Sequence, residues 1–189
     1  STASSFTPGP NTTLSTALAA NHGLRSAMKF IVAVPVGWGL LLSLCLAGLG
    51  QLVLAVPALR WVIMAGGTSY LLWLAVRLWG TREMASANAA RLNITFAQGV
   101  GVQFLNIKAW MLALSVVAGW VAGKPDTLAR CLILLPVMMS FGLVSNLTYA
   151  LMGSLLREWL SKGIRLIAFN RGMSLALVLT AYWMFKSSF

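Results

Sequence analysis

The chain has 189 residues, of which 59% are hydrophobic and only 9% are charged. Soluble domains carry about 25% charged residues, so this composition excludes a soluble globular protein and predicts an all-α integral membrane protein. The formal net charge of +11 would suit a nucleic-acid partner. However, the basic residues occur singly between apolar runs, as the loop charges of membrane proteins do. We therefore expect the chain to lie in a lipid bilayer and to bind no nucleic acid.

Six apolar runs are each close to the ~20 residues that a helix needs to cross a bilayer. In chain order they cover roughly residues 1–20, 28–50, 61–80, 96–123, 128–156 and 166–185. The first run has no basic flank, so we do not expect a signal peptide, and we expect the numbering to begin inside the first span. The sequence predicts one transmembrane domain, residues 1–189, without a soluble domain.

The first span contains a helix-breaking cluster, Pro8, Gly9 and Pro10, which is followed by Asn11 and Thr12. Proline lacks an N–H donor and glycine lacks a side chain, so we predict that the first helix is broken here and that a polar residue after the cluster caps a new helix. The positive end of such a helix suits a carboxylate. The alternative is that the cluster is an extracellular lead-in to the span.

The fourth span carries Gln103, Asn106 and Lys108 inside a long apolar run. A lysine at this depth indicates a polar cavity or an anionic ligand, and the alternative is that it snorkels to the interface. At the ~1.5 Å helical rise, Asn11 and Lys108 both lie roughly 12–14 Å inside a ~30 Å core. On a regular helix Asn106 and Lys108 are about 200° apart. Either span four is distorted near Ile107, or only one of these two residues faces a site.

The distribution of basic residues predicts the orientation of the chain. The loops after spans one, three and five hold eight lysines and arginines, whereas the other loops and the C-terminal end hold four. Because cytoplasmic loops are enriched in Lys and Arg, we predict that both termini lie outside the cytoplasm.

The two halves of the chain repeat the same order of features: a polar patch, a basic turn and a proline. These features are residues 8–11, Arg25 and Pro35 in the first half, and residues 106–108, Arg130 and Pro136 in the second. Three spans per half require the second copy to be inverted in the membrane. We therefore predict two inverted three-helix repeats, about residues 1–80 and 96–189, with a binding site between them at mid-membrane.

The sequence offers little for catalysis. One histidine, three acids and two dispersed cysteines provide neither an acid/base pair nor a metal-ligand set. We therefore expect no enzyme activity, no catalytic residue, no metal site and no cofactor.

Three segments resemble the LysE/RhtB superfamily of small amino-acid exporters: residues 7–11 in span one, residues 66–74 in span three and residues 106–108 in span four. The resemblance covers essentially the whole chain. Residues 103–108 look most like the cysteine/O-acetylserine exporter branch, although Ile107 stands where the superfamily usually has proline. The resemblance implies efflux of amino acids or close derivatives by proton antiport across a bacterial inner membrane, often by a homodimer.

The candidate substrate-binding residues are Pro8, Gly9, Pro10, Asn11, Thr12, Gln103, Asn106 and Lys108. The three acids, Glu83, Asp126 and Glu158, all fall in predicted loops, so no mid-membrane carboxylate is available to carry a proton. Burial disfavours a charged lysine. We therefore hypothesise that Lys108 alternates between pairing with the substrate carboxylate and releasing a proton. The alternative function is a non-transporting membrane scaffold or a passive channel for another small solute.

Overall fold

The computed structural model describes residues 9–83 and 93–186, and the regular structure in these ranges is entirely helical. The helices are α1 (Pro10–His22), α2 (Leu24–Leu46), α3 (Gly50–Ala55), α4 (Pro57–Trp79), α5 (Phe96–Leu105), α6 (Ile107–Trp120), α7 (Thr127–Leu160) and α8 (Arg165–Lys186). The predicted all-α class is confirmed for the described residues. The short helix α3, which joins α2 to α4, was not predicted.

Four helices, α2, α4, α7 and α8, are long and apolar enough to cross a bilayer. Helices α5 and α6 are a fifth candidate when taken as one span that is bent by 69°. Helix α1 has 13 residues, about 20 Å at the helical rise, which is too short for a span. The segment predicted to extend it, residues 1–8, lies outside the described residues. Six spans and an inverted repeat therefore stay predictions.

Helix α1 lies in the interior of the bundle. Nine of its 13 residues are buried, and it packs mainly against α7 and also against α2 and α8. Gly153 of α7 touches the backbone carbonyl of Thr16, which leaves no room for a side chain at position 153. Helix α2 packs against both α7 and α5, and α4 pairs with α8. Most of α1 from Thr13 onwards is therefore enclosed by protein, whereas Gly9, Asn11 and Thr12 at its start are half-buried.

Helix α7 continues beyond the predicted end of span five. It has 34 residues, about 51 Å at the helical rise, compared with a bilayer core of ~30 Å. Glu158 lies in its last turn and is exposed. The prediction that Glu158 lies in a loop is therefore wrong, because leucine, arginine and glutamate are good helix formers and extend the helix past the apolar run.

Candidate functional site

Helix α1 begins at Pro10, with Gly9 as its N-cap. Proline suits the first helical position because its φ is already helical and no N–H needs a partner there. The Thr12 hydroxyl closes this turn, since it donates to the Gly9 carbonyl and accepts from the Gly9 N–H, both at 3.1 Å. A helix thus starts within the proline and glycine cluster, but its N-cap is Gly9, so the prediction that a polar residue after the cluster caps it is wrong. Pro8 lies outside the described residues.

Span four is interrupted at Asn106, which is extended (φ −93°, ψ 96°) and separates α5 from α6. Its side-chain Oδ1 accepts a hydrogen bond from the Lys108 N–H at 3.1 Å and so caps α6. Trp110 reaches back along the chain, and its Nε1 donates to the Phe104 carbonyl at 2.9 Å. The span is therefore distorted next to Ile107, and the distortion forms without a proline.

Asn11 and Gln103 pair with each other across 92 residues of sequence. Asn11 Nδ2 donates to Gln103 Oε1 at 2.9 Å, and Gln103 Nε2 donates to Asn11 Oδ1 at 3.0 Å. Gln103 is fully buried, and Gly37 of α2 makes room for it, because a Cβ at Gly37 would lie 2.6 Å from Gln103 Cγ. The structure brings these two predicted site residues together, but their side-chain amides hydrogen-bond to each other.

Two further polar contacts connect α1 to the bundle. Ser15 donates to Asn146 Oδ1 of α7 at 2.9 Å. Asn21 and Asn170 of α8 exchange hydrogen bonds of 2.7 and 2.9 Å, and Asn170 also donates to the Thr81 carbonyl. All these side chains are buried. Together with the Asn11 pair they form three polar pairs, which connect α1 to α5, α7 and α8.

A small cavity lies where the starts of α1 and α6 meet. It is lined by Pro10, Gly67, Tyr70, Leu71, Val102, Leu105, Asn106 and Met184. Its volume of about 10 Å³ is about the room that one water molecule needs. Gly67 of α4 touches the Leu105 carbonyl and closes one side of the wall. The N-termini of α1 and α6 meet here together with the C-terminal end of α5, since Leu105 is the last residue of α5.

Lys108 is not among the residues that line this cavity. Its Nζ lies 4.5 Å from the ring centre of Trp183 on α8, where the electron-rich face of the indole stabilises the ammonium group. Trp183 precedes Met184, which belongs to the cavity wall. Of the eight predicted site residues, Pro10 and Asn106 line the cavity, Asn11 and Gln103 pair together, and Gly9 and Thr12 shape the first turn of α1.

A protein-family model described as a LysE type translocator matches residues 2–186. This chain belongs to the LysE family. The relatives of this LysE-family chain include proteins named cysteine/O-acetylserine efflux protein. The one from Salmonella choleraesuis (strain SC-B67) is 28% identical over 156 residues, which are 81% of this chain and 78% of the relative. The one from Escherichia coli (strain K12) is 24% identical over 153 residues, with the same shares of each chain.

No solved structure matches this LysE-family chain. Membership in a translocator family, together with helices long enough to span a bilayer, identifies a multi-pass membrane transport protein rather than an enzyme. The family resemblance noted from the sequence is thereby confirmed.

Tyr70 is the polar cavity residue that sequence reasoning missed in this LysE-family chain. It lies in the run of residues 66–74 that carries part of the resemblance, but the sequence does not indicate that its side chain faces a cavity. Asn21 and Asn170 were also missed, although an asparagine inside an apolar run is itself a visible signal.

Proposed function

We propose that this LysE-family protein is a secondary-active exporter of small neutral amino acids or their close derivatives, with cysteine and O-acetylserine as the first candidates. The names of the relatives support this substrate class. The cavity wall includes no acidic residue, so a cationic substrate side chain would have no carboxylate partner there. By family resemblance we also propose a bacterial inner-membrane location and a homodimer.

The observation that carries the proposal is the meeting of two helix N-termini at one cavity. Pro10 at the start of α1 and Asn106 before α6 both line it. Carriers with discontinuous helices direct such positive ends at the carboxylate of an amino acid. A passive channel or a scaffold has no need for two helices that begin at the same point.

Substrate binding requires the cavity to open, because an amino acid does not fit into the volume of one water molecule. The bend at Asn106 is the natural hinge, since its backbone is already extended between two helices. A change of φ and ψ at one such residue moves α5 relative to α6 without breaking either helix. We infer that the closed cavity belongs to a substrate-free state of an alternating-access cycle.

The arrangement of the helices supports the proposed inverted repeat. Helices α1 and α6, with 13 and 14 residues, both begin at the cavity. Helix α1 packs against α7, α6 packs against α2, and α4 packs against α8. Exchanging α1 with α6, α2 with α7, and α4 with α8 preserves these three contacts, whereas the packing of α1 on α2 has no counterpart of similar extent between α6 and α7. The three preserved contacts are those expected of two inverted repeats, with a binding site between them.

Proton coupling is proposed to depend on Lys108. Glu83 and Asp126 lie outside the helices, and Glu158 lies in the exposed last turn of α7. Arg130 donates a hydrogen bond of 2.8 Å to the Asp126 carboxylate and holds the pKa of that carboxyl below its usual range, so Asp126 stays charged near neutral pH. Lys108 is therefore the proposed proton carrier, which exchanges its contact with Trp183 for the substrate carboxylate.

Counterflow in liposomes tests this function. Saturable exchange of labelled cysteine or O-acetylserine that responds to a pH gradient is the expected result. Lys108→Gln should abolish the response to the gradient, whereas Lys124→Gln, an exposed lysine between α6 and α7, should retain it. Full proton-coupled transport by Lys108→Gln would refute the role of Lys108. The absence of saturable flux for any neutral amino acid would refute the exporter itself, and flux that does not saturate would favour a channel.

A further inference from the structure

The end of α4 and the beginning of α8 meet at one edge of the bundle, and both carry exposed arginines. Asn170 of α8 donates a hydrogen bond of 3.1 Å to the carbonyl of Thr81, two residues beyond the end of α4. The residues that follow these two partners are Arg171 and Arg82, and both are exposed. The hydrogen bond therefore holds two arginines from separate parts of the chain at the same edge.

Arg171 lies over an aromatic ring of the neighbouring helix. Its Cζ is 5.1 Å from the ring centre of Trp79, which is the last residue of α4 and is 44% exposed. Contact with an indole face leaves most of the five N–H donors of a guanidinium available for an acceptor. Arg171 makes no ion pair with a carboxylate of the described residues. The pair thus presents donors to an acceptor from outside the chain.

The depth of this pair indicates what that acceptor is. Arg171 lies six residues after the start of α8, about 9 Å at the helical rise, and a mostly apolar segment, residues 172–185, follows it. A tryptophan at the end of a membrane helix is typical of the interface between lipid and water. Trp79 and Arg171 therefore lie close to the level of the lipid headgroups, where phosphate is the abundant acceptor. Arginine binds phosphate with two parallel hydrogen bonds.

The charge of this edge decides which headgroup fits. Residues 77–83 and 171 contain three arginines and one acid, Glu83, which gives a net charge of +2. A zwitterionic headgroup would add its own ammonium to this excess, whereas basic pockets between membrane helices bind anionic headgroups. We propose that Arg82 and Arg171 bind the phosphate of an anionic phospholipid beside Trp79, at the edge formed by α4 and α8. In the predicted orientation this edge lies in the cytoplasmic leaflet.

A second arginine and tryptophan pair provides a matched control. The Cζ of Arg130 lies 5.7 Å from the ring centre of Trp120, and both residues are exposed. Unlike Arg171, Arg130 already donates to the Asp126 carboxylate at 2.8 Å and to the Trp120 carbonyl at 3.2 Å. Its charge is compensated within the chain, so we expect no lipid phosphate to bind it tightly.

Native mass spectrometry of the purified full chain tests this site. The protein is titrated with phosphatidylglycerol and with phosphatidylethanolamine of the same acyl chains, and the first bound lipid is counted. Wild-type protein should prefer phosphatidylglycerol. Arg171→Gln should lower that affinity roughly tenfold, since a hydrogen bond to a charged group is lost. Arg82→Gln should lower it roughly fivefold, the effect of one basic residue near anionic lipid. Arg130→Gln should bind like the wild type.

Each contrary outcome overturns the inference. Equal binding of the two lipids by the wild type would remove the preference for an anionic headgroup. Equal losses in Arg130→Gln and Arg171→Gln would assign the effect to the overall charge. Displacement of the lipid by an equal concentration of glycerol phosphate would assign the site to a soluble phosphate compound. Arg82 lies outside the helices, so Arg82→Gln decides the matter if Arg171→Gln does not fold, and unchanged affinity in it would refute the site. The inference does not depend on which solute the protein transports.

Discussion

At the scale of single residues, Gly67 shows how the absence of a side chain forms the cavity wall. A Cβ at this position would overlap the Leu105 carbonyl, so Gly67→Ala should lower the free energy of unfolding by about 1–3 kcal/mol. At Gly101 of α5, a Cβ would meet no neighbouring atom within 4 Å, so Gly101→Ala should be neutral or stabilise the helix by up to about 1 kcal/mol. Denaturant unfolding in detergent measures both. Equal free energies of unfolding for the two variants would mean that α4 and α5 are not in contact at Gly67.

The pair of Asn11 and Gln103 predicts an energetic coupling between α1 and α5. A double-mutant cycle with Asn11→Ala and Gln103→Ala should give a coupling energy of about 0.6–2 kcal/mol, the range of side-chain hydrogen bonds between helices in membranes. The control cycle replaces Gln103→Ala with Ser115→Ala, an exposed hydroxyl that bonds to its own helix, and should be additive. A cycle without coupling would contradict the pair.

These residues also mark how far the sequence could predict the site. Asn11, Gln103 and Asn106 were selected because polar groups in apolar runs are conspicuous. Their roles depend on tertiary contacts: Asn11 and Gln103 meet only because the chain returns 92 residues later. Tyr70 has no comparable signal, since a tyrosine suits a lipid-facing surface as well as a cavity.

At the scale of helices, the bend in span four predicts tolerance of proline at one position. Ile107 is the first residue of α6, where proline is favoured, and Asn106 already has an extended backbone, as a residue before proline prefers. Ile107→Pro should therefore be neutral or raise the free energy of unfolding by about 0.4–1 kcal/mol. Ala113→Pro, in the buried middle of α6, should cost about 3 kcal/mol or more. Similar losses for both variants would place Ile107 inside a continuous helix.

The helices that hydropathy predicts best are those that consist of one long apolar run. Helices α2, α4, α7 and α8 lie within a few residues of the predicted spans, because a long apolar run is sufficient to define them. The bend between α5 and α6 depends on Asn106 as a cap and on Trp110, which reaches back six residues to the Phe104 carbonyl. Neither contact is part of a hydropathy pattern, so the sequence left this element undecided.

At the scale of the whole molecule, the orientation in the membrane can be tested by labelling. In a background without Cys45 and Cys131, the free cysteines of the described chain, a cysteine is introduced at exposed Lys124 or exposed Ser161. With both termini outside, an impermeant maleimide added to intact cells should label Lys124→Cys, and should label Ser161→Cys only after permeabilisation. The reverse pattern would invert the predicted orientation.

The three polar pairs of α1 have a mechanical consequence for the whole bundle. They connect one short helix to three different neighbours, at Asn11, Ser15 and Asn21. Neither a packed interior nor lipid offers a replacement partner to a freed amide, so a slight tilt of α1 would strain all three contacts and satisfy none. We therefore expect α1 to be stable only in a few registers, those in which its polar side chains have hydrogen-bond partners. In the proposed transport cycle we therefore expect α1 to move by a jump between such registers and not by a gradual tilt.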